Sequence, residues 1–168
     1  MNMIKLNLGG NEKLEGGSGS PELTGFINVD ARCMNNIDVV ADIRKLPFQN
    51  KSVDEIRASH VIEHISVNDI PGTLAEWNRV LKIGGILRVY CPDALKIMQA
   101  RVTERITQEQ ASRLIFGNQN YKENLHRIAL DRGMLERFLL QAGFQIVSRD
   151  PRPKSYQLDL GVQCVKLK

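Results

Sequence analysis

Short apolar runs that stop at a glycine or carboxylate alternate along the chain with longer stretches whose apolar residues recur three or four positions apart. The short runs predict strands over residues 3–8, 26–29, 37–41 and 52–58, each four to eight residues or close to it. The longer spacing first appears at Leu74, Trp77, Val80 and Leu81. With Pro71 in the first turn and Gly84-Gly85 as a stop, it predicts a helix over 68–82 whose apolar residues face a core. A strand over 86–91 follows and ends at Pro92. Residues 92–116 are again helical in pattern, broken near Thr107, where T-Q-E-Q reads as a capping box. A further helix spans 130–142, with Asp131 as its cap and Gly143 as its end, and two strands, 145–148 and 158–167, complete the chain. The stretch 9–25 holds six glycines and reads as a loop with at most one helical turn. D-P-R-P at 150–153 is loop material between the last two strands.

Strands alternating with helices predict a parallel α/β sheet, and two terminal strands joined without a helix predict an antiparallel hairpin at one edge. At 168 residues and 42% hydrophobic content, the chain suits a single domain over 1–168. The net charge of +4 comes from scattered Lys and Arg, so no nucleic-acid partner is indicated. Cys33, Cys91 and Cys164 form no C-x-x-C pair, which suits a reducing cytoplasm and offers no thiolate zinc site. No apolar run approaches the roughly 18 residues that span a bilayer, so no membrane partner is expected.

Candidate chemistry collects at the predicted strand ends. Gly9-Gly10-Asn11 follows the first strand, where glycines let a ligand approach the backbone, although G-G-N-E-K-L at 9–14 matches neither the dinucleotide fingerprint nor a phosphate loop. Asp30 ends the second strand at a separation suited to accepting hydrogen bonds from ribose hydroxyls. Asp42 ends the third in the same way and could receive an adenine amino group or simply cap a turn.

After the fourth strand, Ser59, His60, Glu63 and His64 stand at the mouth of the sheet. H-V-I-E-H at 60–64 fits H-x-x-E-H, which on a helix would pair two imidazoles on zinc. Here the first histidine sits at a strand terminus, so no metal is called for, and a zinc hydrolase is the lesser alternative. His126, in N-L-H-R, is either a core histidine or a group facing the substrate.

Taken together, L-N-L-G-G-N at 6–11, G-F-I-N-V-D at 25–30, D-V-V-A-D-I at 38–43, L-P-F at 46–48, A-S-H-V-I-E-H at 58–64 and R-V-L-K-I-G-G at 79–85 resemble the class I S-adenosylmethionine-dependent methyltransferase family, specifically its small bacterial members. The resemblance covers about residues 4 to 94. It implies a Rossmann-like, mostly parallel seven-stranded sheet with an antiparallel C-terminal hairpin. Against that family pattern, the N-terminal helix is missing and the first crossover helix is reduced to the Gly/Ser-rich loop.

The resemblance further implies that Gly9, Gly10 and Asn11 lie beneath the methionine and ribose of S-adenosyl-L-methionine. It places Asp30 on the ribose, Asp42 and Ile43 beside the adenine, and Ser59 and His60 near the sulfonium. The expected activity is methyl transfer, and elimination leaves a small polar or sugar-linked acceptor. His60 and His126 lead as candidate bases, followed by His64, with Glu63 orienting an imidazole. The alternative is a non-catalytic module that binds the cofactor. A small-molecule substrate is the expected partner, and a homo-oligomer is left open.

Overall fold

The structure is a computed structural model that describes residues 3–9, 24–149 and 157–168. Gly10, Asn11, the Gly/Ser-rich stretch where a reduced crossover helix is expected, and residues 150–156, expected as loop, lie outside the described residues. Among the described residues, seven strands form one sheet. In chain order they are β1 (Lys5–Leu8), β2 (Ile27–Asp30), β3 (Val39–Val40), β4 (Val53–Ser59), β5 (Leu81–Pro92), β6 (Phe144–Arg149) and β7 (Asp159–Lys166). Their order across the sheet is β3-β2-β1-β4-β5-β7-β6. All neighbours from β3 to β5 are parallel; β7 runs antiparallel to both β5 and β6. The expected mostly parallel seven-stranded sheet with an antiparallel terminal pair is therefore what the chain forms.

Register follows from apolar matching. Leu6 stands beside Ile27 and Ile56, and Leu8 beside Val29 and Ala58, and all but the partly buried Ile27 are sealed in the core. Burying each of the larger side chains is worth about 1.5–3 kcal/mol, and a slip by one residue would turn this set to the opposite face. Helix α1 (Ile70–Val80) presents Ile70, Thr73, Leu74, Trp77 and Val80 inward, the spacing of a single helical face. Its Trp77 indole donates to Ile43 O at 3.0 Å, which fixes the turn after β3 against the helix. Helices α2 (Ala94–Val102) and α3 (Gln108–Phe116) are separated where expected, and Thr107 and Gln110 complete the capping box. Helix α4 (Arg132–Gln141) is capped by Asp131, which accepts from Met134 N, and packs Leu135 and Leu139 into the same core as Leu74 and Trp77. No helix among the described residues is long and apolar enough to cross a membrane.

The start of β5 departs from the sequence reading. The strand begins at Leu81, directly after α1, and the glycine pair expected to stop the helix lies inside it as a bulge. Val53 pairs with Leu81, whereas Glu55 already pairs with Ile86, so extra residues are accommodated on β5. Gly84 has a φ of 77°. A Cβ on Gly85 would stand 2.8 Å from Lys82 O and 3.3 Å from Asp54 O, so the glycines serve close backbone approach within the sheet. β3 is also shorter than expected, with two residues.

Candidate active site

The connections after β1 and β4 diverge to opposite sides of the sheet, because β1 is followed by its neighbour β2 and β4 by β5 on the other side. Such a switch point leaves a crevice at the carboxyl ends of the strands. A cavity of about 640 Å³ opens there. Gly9 turns the chain out of β1 with a φ of 71°, and its amide donates to Val29 O at 2.9 Å. A Cβ on Gly9 would fall inside the van der Waals sphere of Val61 Cγ2. Glycine here lets the segment after β4 close against the end of β1, and both residues line the cavity.

The next strand ends supply carboxylates. Asp30, at the end of β2, is 7% exposed. Its Oδ1 accepts from Arg32 N at 2.8 Å and Arg32 Nε at 3.2 Å, while Oδ2 has, among the described residues, a long contact of 3.4 Å with Arg32 Nη2. The Arg32 guanidinium lies over the Tyr121 ring at 4.8 Å. Burial works against its charge, but Asp30 and Tyr121 outweigh that and hold the Arg32 pKa above its usual value. Asp42, after β3, is more exposed and is gripped by Arg44, whose Nε and Nη2 donate at 3.0 and 2.7 Å. Those hydrogen bonds hold the Asp42 carboxyl below the usual carboxylate range. Ile43 lines the wall beside it.

At the end of β4, Ser59 is buried and His60 follows with a φ of 52°. A non-glycine residue in that region costs on the order of 1–3 kcal/mol and is found where the surroundings impose it. The imposing contacts are visible. His60 N donates to Tyr90 O at 2.9 Å, Nε2 stands 3.0 Å from Asp159 Oδ2, and Nδ1 stands 3.4 Å from Glu63 Oε1. Burial opposes the charged ring, yet the two carboxylates push its pKa up to about 10. Nε2 faces Asp159 and Nδ1 lies near Glu63, and the two carboxylates favour the charged ring, which does not suit the proton abstraction expected of it.

H-V-I-E-H does not form an α-helix. Ile62–His64 is a single 3₁₀ turn, and the two histidines of the motif point to different partners. His64 Nδ1 lies 3.1 Å from Leu125 O. His126 Nδ1 lies 3.1 Å from Leu114 O, and the rings of His64 and His126 meet edge to face with centroids 4.9 Å apart. Burial pushes the His126 imidazole below its usual pKa, against the pull of Glu63. His126 reaches this place because the chain reverses at Gly117, with a φ of 77°, and His126 N returns to Phe116 O at 3.1 Å. A Cβ on Gly117 would collide with Asn124 O.

The cavity thus brings together Gly9, Asp30, Asp42, Ile43, Ser59, His60, His64 and His126. Glu63 is buried behind them, beside His126 on the wall of a second, small cavity. Sequence reading missed Arg32, Arg44, Tyr121 and Asp159. The signal for Arg32 and Arg44 was present, since each lies two residues beyond its carboxylate, the reach of a local side-chain to backbone turn.

The methyltransferase-domain family model matches residues 20–89, a span that contains β2, β3, β4 and α1 and most of β5. No curated protein matches the sequence. Among solved structures, a Pyrococcus horikoshii protein superimposes with a TM-score of 0.65 at 20% identity, over 97% of this chain and 81% of that one. An S-adenosylmethionine-dependent methyltransferase from Mesorhizobium loti gives 0.62 at 15%, over 98% and 91%. The Burkholderia thailandensis 1,6-didemethyltoxoflavin-N1-methyltransferase, solved with its substrate and S-adenosylhomocysteine, gives 0.65 at 13%, over 98% and 71%. Identities this low speak to fold alone. Fold and family match together define a class I methyltransferase architecture. Residues 20–89 match the methyltransferase domain, and the sheet around them has the fold that the sequence resemblance implied.

Proposed function

We propose that this chain is an S-adenosylmethionine-dependent methyltransferase for a small polar acceptor, and that the cavity at the β1/β4 switch point is its active site. The observation that carries the reading is the convergence of Gly9, Asp30, Asp42, Ile43, Ser59 and His60 on one cavity, each at or just beyond a strand's carboxyl end. The donor set fits the cofactor. Asp30 Oδ2, whose contact with Arg32 is long among the described residues, is the oxygen assigned to the ribose hydroxyls. Ile43 offers an apolar wall for the adenine, and Asp42 an acceptor for its amino group.

When bound, the cofactor supplies an electrophilic methyl group on a sulfonium. The residues of this chain align the acceptor with it, and alignment accounts for much of the rate in such a displacement. His60, held by Asp159 and Glu63, is assigned as a fixed positive charge on the wall that the acceptor faces. One face of the Tyr121 ring is covered by Arg32, and the charged and polar side chains lining the cavity favour a polar acceptor such as a sugar-linked one.

Titration calorimetry with S-adenosylhomocysteine tests the assignment. Asp30→Ala is expected to weaken binding at least about tenfold, or roughly 1.4 kcal/mol, while the protein stays folded by circular dichroism. Unchanged affinity would remove Asp30 from the site.

A further inference from the structure

Glu63 faces His60 across an ion-pair distance, but that contact leaves its carboxylate without a hydrogen bond. Its side chain is 2% exposed, and neither carboxylate oxygen accepts a hydrogen bond. His60 Nδ1, at 3.4 Å, lies near Oε1 but outside hydrogen-bonding geometry. A buried carboxylate without hydrogen bonds is costly, and His60 at 3.4 Å supplies charge but no hydrogen bond. His64 and His126 stand next to it, and one ligand atom from each of the three residues lies within 4.8 Å of the other two.

The two imidazoles are set for a cation. Each Nδ1 faces a backbone carbonyl, Leu125 O for His64 and Leu114 O for His126, at 3.1 Å. A carbonyl only accepts, so Nδ1 carries the hydrogen and the neutral ring keeps its lone pair on Nε2. A backbone carbonyl holding the second nitrogen is the outer support that metal-binding histidines have.

We propose that Glu63, His64 and His126 bind one zinc ion at the inner end of the cavity. Two imidazoles and a carboxylate suit zinc, and three protein ligands leave a fourth position open. His64 and His126 line the large cavity while Glu63 lies behind, so the open position faces the pocket. The ligand atoms, within 4.8 Å of one another, would close to the roughly 3.3 Å spacing that metal–ligand bonds near 2.1 Å impose. This ligand set differs from the zinc site that H-x-x-E-H would make on a helix. It omits His60, makes Glu63 a ligand and draws its third member from far along the chain. If the site is that of a methyltransferase, the ion would hold the acceptor oxygen; this one consequence rests on the function proposed above, and zinc binding does not.

The test uses chelator-treated full-length protein without cofactor, titrated with zinc by calorimetry and with Co²⁺ by visible absorption. One equivalent of zinc is expected to bind, with the Co²⁺ spectrum of a four-coordinate centre. His64→Gln and His126→Gln are each expected to weaken binding at least about tenfold, and His60→Gln to leave it within about threefold. Circular dichroism checks that the variants fold, and the wild-type titration decides even where they do not. Wild-type protein that takes up no zinc overturns the proposal. So does binding that survives loss of both His64 and His126, or that is lost equally with His60. Because no cofactor is present, a negative result leaves the cofactor site to its own calorimetric test.

Discussion

Replacing Gly9 by alanine imposes two separable costs on one carbon atom. The first is conformational, since a φ of 71° puts an L-residue in the left-handed region at about 1–2 kcal/mol. The second is steric. The new Cβ would overlap Val61 Cγ2, with Val61 Cβ at 3.5 Å and Cγ1 at 3.8 Å. A β-branched side chain has little rotamer freedom with which to withdraw, so this overpacking costs about 1–3 kcal/mol. The sum, about 2–5 kcal/mol, is a large part of a typical domain's stability of roughly 5–15 kcal/mol.

Val61→Ala removes the obstructing atoms but not the backbone strain. In the Gly9→Ala/Val61→Ala double variant the steric part should vanish, giving a coupling of about 1–3 kcal/mol between the two sites. Urea unfolding of the four proteins measures this directly, followed by the fluorescence of Trp77, the single tryptophan, which is fully buried. A Gly9→Ala protein within about 0.5 kcal/mol of wild type, or a coupling near zero, would refute the account of why glycine stands there.

Two further outcomes concern titratable groups. Glu76 accepts from Leu46 N at 2.7 Å and from Arg79, which also donates to Phe48 O and Asn50 Oδ1; the Arg79 hydrogen bonds hold its carboxyl below the usual range. A depressed carboxylate stabilises above its unfolded pKa and loses that contribution as pH falls through the folded value. Urea midpoints of Glu76→Gln should therefore show less acid sensitivity between about pH 5 and 3 than wild type, and identical slopes would contradict the role. For His60, burial is outweighed by Asp159 and Glu63, which raise the pKa from 6.5 to about 10. Its contribution to stability is thus complete below pH 6.5 and lost as pH rises through about 10. Proton NMR of the metal-free protein should find no His60 titration at neutral pH in wild type and a lower midpoint in Asp159→Asn; a wild-type midpoint near 6.5 would refute the ion pairs.

Local chemistry was the legible part of this chain. Thr107 and Asp131 announce their helices because a capping side chain bonds a backbone amide three residues away. Strand ends at Asp30 and Ser59 followed from apolar runs closing on polar residues. Long-range pairing was hidden. Nothing near His60 in sequence announces Asp159, which arrives only because β7 inserts beside β5. The approach of His126 to His64 depends on the reversal at Gly117, whose collision with Asn124 O exists only once the chain has folded back. The Gly84-Gly85 pair misled because the same two letters serve a helix stop and a strand bulge. Pairing between β4 and β5 decides between them.

The central claim is that the cavity at the β1/β4 switch point binds S-adenosylmethionine. Thermal unfolding of the wild-type protein with increasing S-adenosylmethionine or S-adenosylhomocysteine tests it most directly. A ligand present at a hundred times its dissociation constant stabilises the folded state by about 2.7 kcal/mol. A saturable rise in midpoint, reduced in Asp30→Ala, is the predicted result. No rise with either ligand at millimolar concentration would contradict it.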